Sequence, residues 1–298
     1  EQPVITKKTL FNQSSRIQVC NLTFRAADNK YVLQANASSD VTVSSLSVRG
    51  AIYMSGVTGY SISNCAVTGS VEEGGITLYG AKNGKVYNNL IYANTKKGIY
   101  LLGSGTSDNL IAYNSFYGNT TADFLINSIA QYGTAASNTI RNNIFTKGFE
   151  LGSETAITGN AFNYNLYAML PSKVATIAGE ARSFADIQAL GAETNGLNGN
   201  AGYYNAEGGD LRLTSGSSAI GKGIAIGEIA ADFTGAARGT TPDIGAYTYD
   251  ESIENALQVL DKTPTGVSEY PDVSVSATFS EALAAPEQQP ENFLTVTS

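Results

Sequence analysis

The sequence has no histidine and no tryptophan, and only 15% of its 298 residues are charged. Without histidine there is no serine–histidine relay and no zinc held on imidazole ligands. Cysteine occurs only at Cys20 and Cys65, too few for a disulfide framework. No run of about 18 apolar residues is present, so membrane insertion is not expected. Basic residues are also scarce: 18 Lys and Arg against 26 Asp and Glu leave a net charge of −8. That balance argues against a nucleic-acid partner, which needs a cationic surplus to displace counterions from phosphates. It also disfavours tight binding of a polyanion without a bound cation. The chain starts at Glu1 rather than Met and shows no signal peptide, as expected if a leader has been removed or trimmed.

What is present is turn-forming and β-forming. Glycine is frequent, at 31 residues, and Asn, Ser and Thr are abundant, a composition suited to a turn-rich all-β protein. One short pattern recurs: an apolar residue, two mostly polar ones, a pivot, one residue, then another apolar one. Val19-Cys20-Asn21-Leu22-Thr23-Phe24, Ile62-Ser63-Asn64-Cys65-Ala66-Val67 and Ile111-Ala112-Tyr113-Asn114-Ser115-Phe116 are three of its seven copies. The pivots are Leu22, Leu46, Cys65, Asn89, Asn114, Asn143 and Asn165, spaced 19 to 29 residues apart. Such a period with short β-branched and aromatic runs signals a solenoid. A sharp bend at each pivot calls for a backbone near the left-handed region, which Asn tolerates. Asn89, Asn114, Asn143 and Asn165 are then expected to stack about 4.8 Å apart as a side-chain amide ladder.

A second run follows each pivot strand: Ile52-Tyr53-Met54, Ile76-Thr77-Leu78, Ile99-Tyr100-Leu101, Phe124-Leu125-Ile126 and Phe149-Glu150-Leu151. Alternation places the middle members, Tyr53, Thr77, Tyr100, Leu125 and Glu150, on the solvent side. Arg49, Glu73, Lys97, Asp123 and Lys147 flank the column with alternating sign, which gives favourable rung-to-rung pairs on a solvated edge. The two cysteines read as buried free thiols, two coils and roughly 9–10 Å apart, beyond disulfide reach. Asn21, Asn36 and Asn119 open glycosylation sequons, which a chain so rich in Asn, Ser and Thr supplies by chance.

The repeat, with its asparagine column, resembles the right-handed β-helix repeats of the pectate-lyase-like superfamily over roughly residues 4–177. The resemblance implies a right-handed parallel β-helix of six or seven coils. It also implies that carbohydrate lies along one strand column, here Tyr53, Thr77, Tyr100 and Glu150, with tyrosine rings offered to sugar faces. A lyase of this kind would take Lys97 as base and calcium on Glu73 and Asp123; otherwise no cofactor is expected. The related hydrolases use an Asp cluster and a His, which this chain lacks.

Beyond the repeat, Ser183-Phe184-Ala185-Asp186 reads as the capped start of a short helix spanning about 183–190. Asp210-Leu211-Arg212-Leu213, Ser217-Ser218-Ala219-Ile220 and Asp243-Ile244-Gly245-Ala246-Tyr247 resemble the closing segment of secreted bacterial β-helix proteins of the "choice-of-anchor" type. Here Gly221 replaces the family's Asp, so no metal or catalytic role is carried onto it. Residues 263–298 are similar to the first strands of a bacterial immunoglobulin-like module, too few for a complete sandwich. The expected domains are therefore a β-helix over 1–262, closing segment 178–250 included, and a partial immunoglobulin-like piece cut from a longer modular protein. Three functions follow: an exported or cell-surface module acting as rigid spacer, adhesin or polysaccharide binder; a lyase or epimerase of uronate glycans; or a structural subunit of a filament or sheath, self-associating end to end. The first is favoured, because no convincing acid/base cluster is visible.

Overall fold

A computed structural model of the protein describes residues 2–129, 131–254, 259–263 and 276–279. Residues Glu1–Asp250 form one unit and Glu251–Ser298 a second. The first unit is a parallel β-helix of about seven turns whose coils visit three sheets in order. The first sheet stacks nine strands, including Thr23–Arg25, Ser47–Arg49, Ala66–Thr68, Leu90–Tyr92 and Ser115–Tyr117. The second also has nine, including Tyr31–Asn36, Ala51–Ser55, Gly74–Tyr79, Lys97–Leu102, Ala122–Ile126 and Phe149–Leu151. The third has seven, from Ser15–Cys20 to Ala161–Asn163. Register is kept rung by rung: Ile52, Ile76, Ile99, Phe124 and Phe149 lie in one column. Each strand is short because the other two sheets serve as its crossover, which a parallel pair always requires. The interior fills with these columns, aliphatic in the early coils and aromatic in the late ones, where Phe116 stacks on Phe145 and Phe149 on Phe162.

The corners carry the specificity. Between the third and first sheets the left-handed residue is the one before the pivot, not the pivot itself. Asn21, Ser45, Asn64, Asn88, Tyr113, Asn142 and Tyr164 have φ between 53° and 59°. This corrects the sequence expectation. The left-handed residue turns its side chain outward, which frees the next residue to point into the core. There Asn89, Asn114, Asn143 and Asn165 are wholly buried. The Nδ2 of Asn89, Asn114 and Asn143 each donates to the Oδ1 of the next coil's Asn at 2.9 Å, and that of Asn165 to Glu193.

Two further ladders stand at the other corners. Asn94 donates to Asn119, and Asn119 to Asp123, each at 2.9 Å. Asn109 donates to Asn138, and Asn138 to Asn160, again at 2.9 Å. The Tyr60 hydroxyl donates to Asn109 Oδ1 at 2.9 Å across Gly84. A Cβ at Gly84 would lie 2.1 Å from that ring, so the bond needs glycine there. Asn119, a sequon residue, is spent in this network and buried. Cys65 is buried at its pivot, whereas Cys20 is exposed, because it precedes the corner and points outward; both are free.

The helix at Phe184–Ala189 starts as expected: Ser183 and Asp186 bond reciprocally in a capping box. A second helix, Glu154–Thr158, has no counterpart in the sequence reading. The closing segment then runs back along the outside of the left-handed corner. Asn64 Nδ2 donates to the Asp232 and Phe233 carbonyls, Asn88 Nδ2 to Ala231 and Asn142 Nδ2 to Ile224. Arg238 reaches Asn88 Oδ1 at 2.9 Å and lies 3.9 Å from the Tyr113 ring centroid. Asp232 accepts the amides of Thr234, Ala236 and Thr248, and Asp243 those of Gly221 and Tyr249. These two buried acids of the segment thus fold its turns. In the second unit, Glu251–Glu254 is helical and Val259–Thr263 pairs antiparallel with Ser276–Phe279. Most of the expected immunoglobulin-like stretch, including Asn292 to Val296, lies outside the described residues.

Candidate functional site

The expected column exists in register. Gln34, Tyr53, Thr77, Tyr100, Leu125, Glu150 and Thr176 succeed one another on the outer face of the second sheet. Its exposure differs from expectation. Tyr53 and Glu150 are half-buried, but Thr77, Tyr100 and Leu125 are 2%, 7% and 8% exposed. Rungs about 4.8 Å apart let broad side chains roof small ones, and Thr77 lies between two tyrosines. Tyr100 is further closed in because its hydroxyl accepts from Asn127 Nδ2 at 2.8 Å.

The same face gathers tyrosines that the column did not include. The Tyr31 ring lies 4.8 Å from that of Tyr53, and Tyr132 meets Tyr79 edge-on at 5.6 Å. Tyr79 is two residues beyond Thr77, so alternation alone puts it outward. Tyr132 comes from the hairpin Ser128–Ile129 and Gly133–Thr134, which interrupts the repeat and has no periodic signal. Its backbone is pinned by the Ser104 amide donating to the Tyr132 carbonyl at 2.8 Å. Burial, then Glu72, pushes the Tyr31 hydroxyl up to about 12, and burial raises Tyr53 as well. Both are therefore neutral donors at any physiological pH.

The charged flank is divided. Lys97 sits 2.9 Å from Glu73 Oε2 and 5.7 Å from the Tyr100 ring centroid, and Lys96 takes the other Glu73 oxygen. These bonds, that to Lys96 first, hold the Glu73 carboxyl below its ordinary range. Asp123 is not on this surface. It is fully buried, where Oδ1 accepts from Asn119 and Oδ2 from the amides of Thr146 and Lys147 at 2.6 and 2.7 Å. Burial outweighs those donors and raises its carboxyl to about 6. The alternating charge series is thus no continuous ladder of ion pairs: only its Glu73–Lys97 step forms. Lys97 and Glu73 are brought together, while Glu73 and Asp123 share no common point. Among the described residues, no three acidic or thiol side chains gather as a metal cage.

Three parallel sheets, corner ladders and one aromatic outer face define the chain as a solenoid of the β-helix class. It belongs to the right-handed β-helix family: the model described as "Right handed beta helix region" matches residues 10–169, over half the chain. No curated protein matches it. No helix among the described residues is long and apolar enough to cross a membrane.

Proposed function

We propose that the protein is a non-catalytic glycan-binding module of the cell exterior, docking a polysaccharide along the outer face of its second sheet. The observation that carries this reading is the grouping of Tyr31, Tyr53, Tyr79 and Tyr132 on that one face, beside the buried Tyr100. Tyrosine combines a flat apolar body with a hydroxyl donor, the pairing a sugar ring requires. A rigid sheet holds such groups without the entropy cost of ordering loops. Asn127, Lys97 and Gln34 supply polar neighbours at the rim. The lyase alternative, with Lys97 as base and calcium on Glu73 and Asp123, finds less support, because Glu73 is taken up by two lysines and Asp123 by a corner ladder. Retention on insoluble glycans, compared between the native protein and a Tyr53→Ala/Tyr79→Ala variant, tests the reading. Loss of retention in the variant is expected; an unchanged profile removes this face as the site.

A further inference from the structure

The outer face of the second sheet ends, at its late coils, in a cleft of about 310 Å³. Its lining includes Thr146 and Lys147 from one turn, Leu170 and Lys173 from the turn of the next coil, and Glu150 and Thr176 from the outward column. Both turns are fixed by backbone. The buried Asp123 carboxylate clamps the amides of Thr146 and Lys147. Gly148, at φ +75°, lets the chain approach the Val174 carbonyl so closely that a Cβ would lie 2.2 Å from it. The opposite turn is closed by Lys173 N–H donating to Leu170 O at 3.1 Å and tied to the capped helix by Phe184 N–H donating to Pro171 O at 2.9 Å.

Lys147 and Lys173 are both exposed, and among the described residues neither forms an ion pair. Glu150 forms none either. Leu170, on the rim, is 76% exposed. A chain of net charge −8 thus keeps two unneutralised ammonium groups on one cleft, beside an apolar surface and several hydroxyls.

We propose that this cleft binds an acidic sugar residue, a hexose bearing a carboxylate or sulfate, within the glycan taken by the tyrosine face, an inference that rests on the glycan-binding reading. The anion sits between Lys147 and Lys173, the ring lies against Leu170, and Glu150, Thr146 and Thr176 meet the hydroxyls. Lysine acts as a point charge, without the planar fork that would select one anion geometry, so carboxylate and sulfate are both accommodated. The overall negative charge does not forbid this, because screening confines each charge to about 10 Å in 0.1 M salt.

Calorimetric titration with three oligosaccharide sets, uronate-containing, sulfated and neutral, tests the assignment. It is run on the native protein, on Lys147→Gln/Lys173→Gln and on Tyr53→Ala/Tyr79→Ala. The acidic sets should bind more tightly than the neutral one, and more weakly as salt rises. The lysine variant should lose about tenfold in affinity for them while its neutral-glycan affinity stays as it was. Whichever acidic set binds identifies the anion. Equal affinity of the lysine variant for acidic sets, or no binding of either by the native protein, overturns the cleft assignment. Binding of acidic sets that is lost only in the lysine variant and untouched in the tyrosine variant overturns the tyrosine face and leaves the cleft standing.

Discussion

The coils before residue 70 and those from Leu90 to Tyr167 share one backbone plan and close their corners by different physics. In the early coils the corner between the third and first sheets is plugged by Leu22, Leu46 and Cys65, and the interior is mostly Val, Ile, Leu and Met, with Phe24 and Tyr60 among them. In the late coils the same corner is filled by Asn, and the interior by stacked Phe and Tyr, with Phe145 and Tyr167 rings 5.5 Å apart. An apolar plug contributes burial and is indifferent to which neighbour it meets. A buried amide is stable only where its partners stand in register. The ladders therefore act as register keys, and they have a direction. Each Oδ1 accepts from the earlier coil and each Nδ2 but the last donates to the later one, so the last Nδ2 must find another acceptor. Asn165 finds Glu193 Oε1 at 2.6 Å, and Asn119 finds Asp123. The wholly buried carboxyls of Asp123 and Glu193 thus terminate ladders.

The sharpest way to break this comparison is Asn143→Leu, which converts a late corner to the early type. It strands the backbone amide and one side-chain N–H of Asn114, which now donate to Asn143 Oδ1 at 3.0 and 2.9 Å, while Asn165 Oδ1 keeps the backbone N–H of residue 143. Each buried orphan costs about 1–3 kcal/mol, so a loss of roughly 4 kcal/mol is expected in urea unfolding. A loss below 1 kcal/mol would mean that the amides can be exchanged for apolar plugs freely.

The next largest effect concerns the ladder end. Glu193 is fully buried, and burial outweighs its bonds from Asn165 and Tyr167, raising its carboxyl from 4.5 to about 7. The folded chain then keeps a proton between pH 4.5 and 7 that the unfolded chain has released, so stability falls as pH rises through that window. A shift of this size corresponds to at most about 3 kcal/mol, with Asp123 adding a smaller drop below pH 6 in the same sense. Glu193→Gln, which cannot ionise, is expected to remove most of the difference between unfolding midpoints at pH 5 and pH 8. A native protein equally stable at both would contradict the buried-terminator account.

The solenoid was legible in the sequence because its strongest signal, apolar pairs flanking a pivot, repeats once per coil and obeys strand alternation. The first ladder was legible for the same reason, since its Asn residues replace apolar pivots in an otherwise apolar frame. Asn94, Asn119, Asn109 and Asn138 were not, because they sit in turns, where Asn is common for backbone reasons alone. The column Tyr53, Thr77, Tyr100 and Glu150 was placed correctly by period two, but its exposure depends on cross-rung neighbours and on the non-repeating hairpin that carries Tyr132. The fate of Asp123 was hidden too. Its flank position suggested a surface charge, and the donors that turn it inward, the Asn119 side chain and the Thr146 and Lys147 amides, leave no periodic trace.

The smallest effect sharpens the comparison most. Cys65 stands at the boundary between the two kinds of corner. Its backbone amide already donates to Asn89 Oδ1 at 3.0 Å, and its sulfur donates to the Ser63 carbonyl at 3.2 Å. Cys65→Asn would turn Oδ1 toward the earlier coil, as in every ladder Asn, and place Nδ2 between Asn89 Oδ1 and the Val43 carbonyl. Val43 pairs in register with Ile62, whose carbonyl serves Asn89 in the next coil. A ladder can thus grow by one rung from an existing end, and the variant is expected to be neutral or stabilised by up to about 1 kcal/mol. Leu46→Asn, with Cys65 still beneath it, has no such partner and should be destabilised by more than that. Equal losses at the two positions in urea unfolding would show that the early coils reject amides for their shape, not for want of a partner.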